Sequence, residues 1–143
     1  MTVRVPSCSR TRRSLQLVAA LLMAALGDAQ VAAGDLQMTL QPEQHLPRNA
    51  HTSIAVSVEL PSGRDNLPLL LTPRIEGAAV ELVRGRLLRS DAKQIDASHL
   101  RFEIPVVARS EGTAILRVHL TTYLCTDACR QVEVTASAVL AVR

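Results

Sequence analysis

Hydrophobic and polar residues alternate along most of this chain, which is the pattern of β-strands that bury one face. Five stretches alternate clearly: 36–40, 54–60, 100–106, 114–120 and 132–135. Shorter apolar runs predict three further strands: 69–71, 79–83 and 86–88. Turn-forming residues such as Pro61-Ser62-Gly63 and Ser110-Glu111-Gly112 separate these stretches. The pattern therefore predicts a chain of short strands joined by tight turns.

Seven or eight strands with one apolar face each must bury those faces against one another. Two packed antiparallel sheets are the usual solution. We therefore predict an all-β fold, an immunoglobulin-like antiparallel β-sandwich of seven or eight strands. The core is predicted to be aliphatic, with Phe102 as its aromatic member. Pro105 interrupts a strand pattern, which predicts an edge strand or a bulge at that position.

The first 33 residues are predicted to be a helical signal peptide that export removes. Arginines precede an uncharged, mainly apolar run of twelve residues, 15–26. This run is too short for a stable membrane anchor, since a spanning helix needs about 20 residues. Val31-Ala32-Ala33 fits the small-residue cleavage rule and predicts a domain over 34–143, with Gly27-Asp28-Ala29 as a second cleavage site. The predicted location is periplasmic or secreted, without stable membrane insertion of the mature chain.

The charge of the chain argues against binding to nucleic acid. There are 16 basic and 13 acidic residues, a net charge of +3. Four arginines and one aspartate lie in the predicted leader, so the remaining domain is neutral. A neutral domain with one Tyr, one Phe and no Trp lacks the positive field and the stacking surface that such partners need.

Cys125 and Cys129 would be the only thiols of the exported domain, because Cys8 lies in the leader. Disulfides form in exported compartments. One predicted strand ends at the first of the pair and the next begins at the second, which leaves a three-residue hairpin loop, 126–128. Residues that flank such a loop lie about 5.5 Å apart at Cα, within reach of a disulfide. Such loops usually place Gly or Asn in a left-handed position, which here falls on Ala128.

The residues alone leave two interpretations of this pair open. As a staple, a five-residue ring adds about 2 kcal/mol at most in the loop-entropy account. As a redox site, a tight and exposed hairpin disulfide is more readily reduced than a structural one.

The segment 118–134, V-H-L-T-T-Y-L-C-T-D-A-C-R-Q-V-E-V, resembles the amino-terminal domain of the DsbD family of thiol:disulfide interchange proteins. The resemblance implies a periplasmic immunoglobulin-like domain that exchanges electrons with a thioredoxin-like partner. It makes Cys125 and Cys129 the catalytic redox pair, with Tyr123 and Asp127 as neighbours of the site. The spacer between the two cysteines is shorter here than in the family. The alternative is an exported structural or protein-binding sandwich with a purely structural disulfide.

Other chemistry has weaker signals. His119 shares a strand face with Cys125, which makes a copper or zinc site imaginable, but six strand residues separate them by about 20 Å. Arg84, Arg86 and Arg89 form a cluster that would either bind an acidic partner or form a solvated edge. No hydrolase motif or phosphate loop occurs, and we predict no cofactor and no metal.

Overall fold

The computed structural model describes residues 29–33, 36–42, 45–61, 67–125 and 127–143, which form two antiparallel β-sheets packed face to face. One turn of 3₁₀ helix, Arg89–Asp91, interrupts the strands. The strands of the described residues are β1 (Ala29–Ala33), β2 (Leu36–Gln41), β3 (His51–Glu59), β4 (Leu69–Glu76), β5 (Val80–Leu82), β6 (Leu87–Leu88), β7 (Lys93–Gln94), β8 (His99–Ala108), β9 (Gly112–Cys125) and β10 (Cys129–Val142). The predicted all-β sandwich is confirmed.

The order of the strands is that of an immunoglobulin-like sandwich. One sheet has the order β1-β2-β3-β8-β5, with β7 also paired to β8, and the other has the order β10-β9-β4-β6. In immunoglobulin-like domains, strands A, B, E and D form one sheet and strands C, F and G form the other. Here β2, β3, β8 and β5 correspond to strands A, B, E and D. The strands β4, β9 and β10 correspond to C, F and G. The placement of these seven strands therefore follows the predicted class, and the chain departs from it where it returns to the second sheet for β6 between β5 and β8.

All eight predicted strands are present, and two further strands occur. The first, β7, consists of two exposed polar residues and has no apolar alternation from which to predict it. The second, β1, pairs antiparallel with β2, from Ala29 opposite Leu40 to Ala33 opposite Leu36. Residues 29–33 were assigned to the helical leader by the sequence analysis, but they are extended and paired here. The rest of the predicted leader, residues 1–28, lies outside the described residues.

The inward faces of the two sheets form one aliphatic core. Alternate residues of β9, such as Leu116, Val118 and Leu120, are fully buried, and Phe102 of β8 is buried with them as predicted. Burial of each such side chain contributes about 1.5–3 kcal/mol, so the alternation itself stabilises the sandwich. Thr122 is buried as well, and its hydroxyl donates a hydrogen bond of 2.7 Å to the Pro68 carbonyl. This bond offsets the cost of burying a polar group.

The edge strand or bulge predicted at Pro105 is corrected by the structure. The strand β8 is internal, and its ladder with β3 runs without interruption past Ser53 opposite Pro105. On its other side β8 pairs only with β7 at one end and with β5 from Val106 onward. The Val83 amide donates to the Pro105 carbonyl at 3.1 Å, so the proline turns its backbone toward the gap between those two short strands. No ladder partner there requires the amide hydrogen that proline lacks.

Replacing Gly77 by Ala should destabilise the sandwich. This glycine has φ 112°, and an added Cβ would lie 3.1 Å from the Thr113 carbonyl oxygen. We expect Gly77→Ala to lower the free energy of unfolding by about 1–3 kcal/mol, measured by urea denaturation. The matched control is Gly85→Ala, where no atom lies within 4 Å of an added Cβ, and its change should stay within about 0.5 kcal/mol. Equal denaturation midpoints for the two variants would contradict this account.

Candidate functional site

The Cys125–Cys129 pair lies at the tip of the longest hairpin of the fold. The strands β9 and β10 have 14 residues each, and their pairing runs from Cys125 opposite Cys129 to Gly112 opposite Val142. Three residues connect them, as predicted. A slip of one residue would turn the buried faces of both strands to solvent, so burial fixes the register. The core pattern of the hairpin thus places the two cysteines opposite each other.

The two sulfur atoms form a disulfide, with Sγ atoms 1.98 Å apart and Cα atoms 3.9 Å apart. The Cα separation is shorter than predicted because the pair occupies a non-hydrogen-bonded position of the ladder, where opposite Cα atoms approach to about 4.5 Å. The direction of the backbone hydrogen bonds of β10 indicates this pairing type. The Ala141 carbonyl accepts a hydrogen bond from the Leu46 amide, so the backbone of Ala141 points away from β9. Backbone N–H and C=O groups point to alternate sides at successive residues of a strand. Cys129 is twelve residues before Ala141, an even number, so its backbone groups also point away from β9.

Both cysteines are exposed, and so are Asp127 and Ala128 of the loop. Within the described part of the chain, Asn49 is the one non-glycine residue with positive φ. The left-handed conformation expected at Ala128 is therefore not adopted. The disulfide stands clear of the core at the end of the hairpin, where a second molecule has access to the sulfur atoms.

Tyr123 lies two residues before Cys125 on the same outward face of β9. Its side chain is 49% exposed, and its hydroxyl donates a bond of 3.3 Å to Gln131, the residue opposite it on β10. The Gln131 amide in turn donates to Glu133. This short polar chain orients the tyrosine ring along the hairpin.

An apolar strip lies beside this end of the hairpin on the outer face of the four-stranded sheet. The register of β4 with β9 places Leu70 opposite Thr121, and the exposed Pro68 lies just before the start of β4. Leu88 of β6 pairs with Leu70 and is 44% exposed. Sequence reasoning missed the strip because the run around Leu70 is apolar at consecutive positions and does not show which residue faces outward. Contiguous exposed apolar surface is a feature of protein-docking surfaces.

The histidine that shares this face is bound to other side chains. His119 Nδ1 lies 2.6 Å from the Thr135 hydroxyl, and Nε2 lies 3.5 Å from a Glu133 carboxylate oxygen. No group of three metal-ligating side chains occurs among the residues that the structure describes. His119 lies six residues from Cys125 along β9, opposite Thr135 of β10, as the spacing in the sequence indicated.

Two members of the arginine cluster bind neighbouring side chains. Arg84 makes two hydrogen bonds to the Asp91 carboxylate, at 2.9 and 3.0 Å. The Leu88 amide also donates to this carboxylate, and together the two partners lower the pKa of Asp91, the amide more than the arginine. Arg89 donates to Gln94 at 3.0 Å. This pairing favours the solvated-edge interpretation of the cluster.

A second cluster, around His99, was not recognised from the sequence. Asp96 Oδ1 lies 2.7 Å from His99 Nδ1, and the Ser98 hydroxyl lies 3.1 Å from the same nitrogen. In a catalytic triad the hydroxyl and the carboxylate bind opposite ring nitrogens. Here Nε2 faces Glu59 at 3.8 Å instead. The amides of Ser98 and His99 both donate to Asp96, so the cluster is an Asx-type turn, which the Asp-x-Ser spacing could have indicated.

Comparison with known proteins identifies no relative: neither a protein family nor a curated protein matches this chain. In the described residues, no helix has the length and apolar character needed to cross a bilayer.

The His99 cluster should make stability depend on pH. The hydrogen bond to Asp96, followed by the charges of Asp96 and Glu59, raises the pKa of His99, and the same bond holds the pKa of Asp96 at about 2. A histidine whose pKa is higher in the folded than in the unfolded state stabilises the fold. This stabilisation is fully present below the pKa of the unfolded state, about 6.5, and is lost as pH rises through the pKa of the folded state. The stability difference between the wild type and His99→Gln should therefore shrink as pH rises above about 6.5 in urea titrations.

Asp96→Asn is the matched variant, because it removes the main partner of His99 and should weaken the same pH dependence, while the charge of Glu59 remains. A wild-type advantage over His99→Gln that stays constant, or grows with rising pH, would contradict this assignment.

Proposed function

We propose that this protein is an exported thiol–disulfide exchange domain, in which Cys125 and Cys129 cycle between disulfide and dithiol with a thioredoxin-like partner. The observation that carries the proposal is the exposed disulfide at the end of a hairpin whose register is fixed by the core. Exchange requires a thiolate to reach a sulfur atom, and access decides which disulfides react.

Reduction would leave the scaffold in place. Beyond the cysteines, β9 and β10 remain paired down to Gly112 opposite Val142, and their inward residues remain packed in the core. The cost of opening the bond is therefore confined to the tip. A domain that changes oxidation state without unfolding meets the requirement of a reversible electron carrier.

The exchange follows a balanced sequence of two displacements. A thiolate of the partner attacks the Cys125 sulfur, which breaks the Cys125–Cys129 bond, forms a mixed disulfide and releases Cys129 as thiolate. The second thiol of the partner, once deprotonated, attacks the mixed disulfide and releases Cys125. The partner is then oxidised, and this domain has gained two electrons and two protons as a dithiol. The same steps in reverse oxidise the domain.

The residues beside the cysteines support this order of attack. Arg130 directly follows Cys129, and a positive neighbour favours the thiolate form of a leaving cysteine. The apolar strip of Pro68, Leu70, Leu88 and Tyr123 supplies a docking surface next to the sulfur atoms. The leader predicted from the sequence also supports the proposal, because disulfides persist outside the cytoplasm.

The alternative is an exported structural or protein-binding sandwich in which the disulfide only clips the hairpin. It is favoured by the exposure of residues 127–131, because a disulfide would limit fraying of so exposed a tip. In this case the bond adds about 2 kcal/mol at most to stability and exchanges with no partner.

A trapping experiment separates the two functions. In exported Cys129→Ser, the Cys125 thiolate can attack the disulfide of an oxidised partner and form the mixed disulfide, which releases one partner thiolate. The thiol of this domain that would then release the partner, Cys129, is absent, so the mixed disulfide should accumulate. Non-reducing electrophoresis with mass spectrometry should identify a thioredoxin-like protein in the adduct, released by dithiothreitol. The control is the double variant Cys125→Ser/Cys129→Ser, which should give no adduct. Adducts with glutathione alone, or none in Cys129→Ser, would reject the exchange function and leave the clip.

A further inference from the structure

We infer that export processing cuts this chain between Ala29 and Gln30, so that β1 remains part of the mature domain. The inference rests on the export that is part of the proposed function, but it does not depend on redox activity. Two small-residue sites end the leader sequence, one at Gly27-Asp28-Ala29 and one at Val31-Ala32-Ala33. The fold discriminates between them, because β1 lies between the two cleavage points.

The residues of β1 are integrated into the sandwich. Each of them is opposite a residue of β2, with Val31 facing Met38 at the centre. Ala29, Val31 and Ala33 pack against the core. On the outer face, the Gln30 side-chain amide donates a bond of 3.0 Å to the Gln37 side chain. Cleavage after Ala33 would remove all of these contacts.

Loss of β1 would also open the edge of a sheet. Within the described residues β1 is the terminal strand, and β2 follows it. Leu36, Met38 and Leu40 of β2 are fully buried at present. Without β1, the amides and carbonyls on that side of β2 would have no ladder partner, next to three large apolar side chains. Such an edge is a template for aggregation. The strand β1 also lies beside β10, where it covers the open side of the sandwich.

The residue types at the two candidate cleavage sites also favour cleavage after Ala29. Glycine and alanine occupy the two recognition positions of the first site, whereas the second has the larger, β-branched Val31 in one of them. Cleavage after Ala29 removes the charged and apolar leader and retains Gln30–Ala33. The mature chain then begins with the residue whose side chain is bonded to Gln37.

The test is the N-terminus of the exported protein. The full chain is expressed in a bacterial host that exports it, the soluble product is isolated from the periplasm, and its N-terminus is determined by intact mass and peptide sequencing. We expect Gln30. A product that begins mainly at Gly34 would overturn this inference and leave export intact, whereas a chain that keeps its leader would overturn export as well.

Matched variants assign the site independently of how the product folds, because cleavage is read from the N-terminus alone. Ala29→Leu places a large side chain at the first site and should abolish the Gln30 product. Ala33→Leu makes the same change at the second site and should leave the Gln30 product unchanged. The opposite pattern, with processing blocked by Ala33→Leu and unaffected by Ala29→Leu, would overturn the assignment.

Discussion

The alternation of buried and exposed residues along β9 and β10 is the constraint on which the rest of the structure depends. The inward residues of these strands, among them Leu116, Leu120, Val134 and Leu140, fix how the strands pair, since any other register would expose them. The same register sets every outward pair, including the two cysteines. The position of the disulfide is thus a consequence of core packing that begins about 17 Å away along the strands, rather than of the loop that joins the cysteines.

This arrangement separates stability from reactivity. The sandwich is stabilised by aliphatic burial within and between its sheets, and the described ion pairs, such as Arg109 with Glu81 and Arg117 with Glu76, are exposed. Exposed pairs contribute little. The disulfide stands outside the core, with the polar chain of Tyr123 and Gln131 below it and the apolar strip at its side. A bond in that position is free to open without disturbing the packing.

The sequence predicted much of this fold because most of its strands bury one face only. Period-two alternation identified β2, β3, β8, β9 and β10, and short apolar runs identified β4, β5 and β6. The strands that it missed lack that signal: β7 has two polar residues, and β1 follows a leader whose apolar run obscures its own pattern. Pro105 was misassigned because a sequence does not show that the partner strands of β8 leave a gap on one side.

For the candidate site, the sequence predicted the cysteine pair, the three-residue loop and the outward face of Tyr123. It did not predict the apolar strip or the His99 cluster, since both arise where separate strands meet. The Cα separation was predicted too long because the sequence does not distinguish hydrogen-bonded from non-hydrogen-bonded pairs of a ladder.

The reduction potential of the Cys125–Cys129 bond tests the account most directly. The sandwich domain would be equilibrated in dithiol redox buffers, and the oxidised fraction would be measured from the mass added by thiol alkylation. An exchange domain should have a potential above about −250 mV, within reach of thioredoxin-like partners. A potential below about −300 mV would mark a structural disulfide and contradict the exchange function.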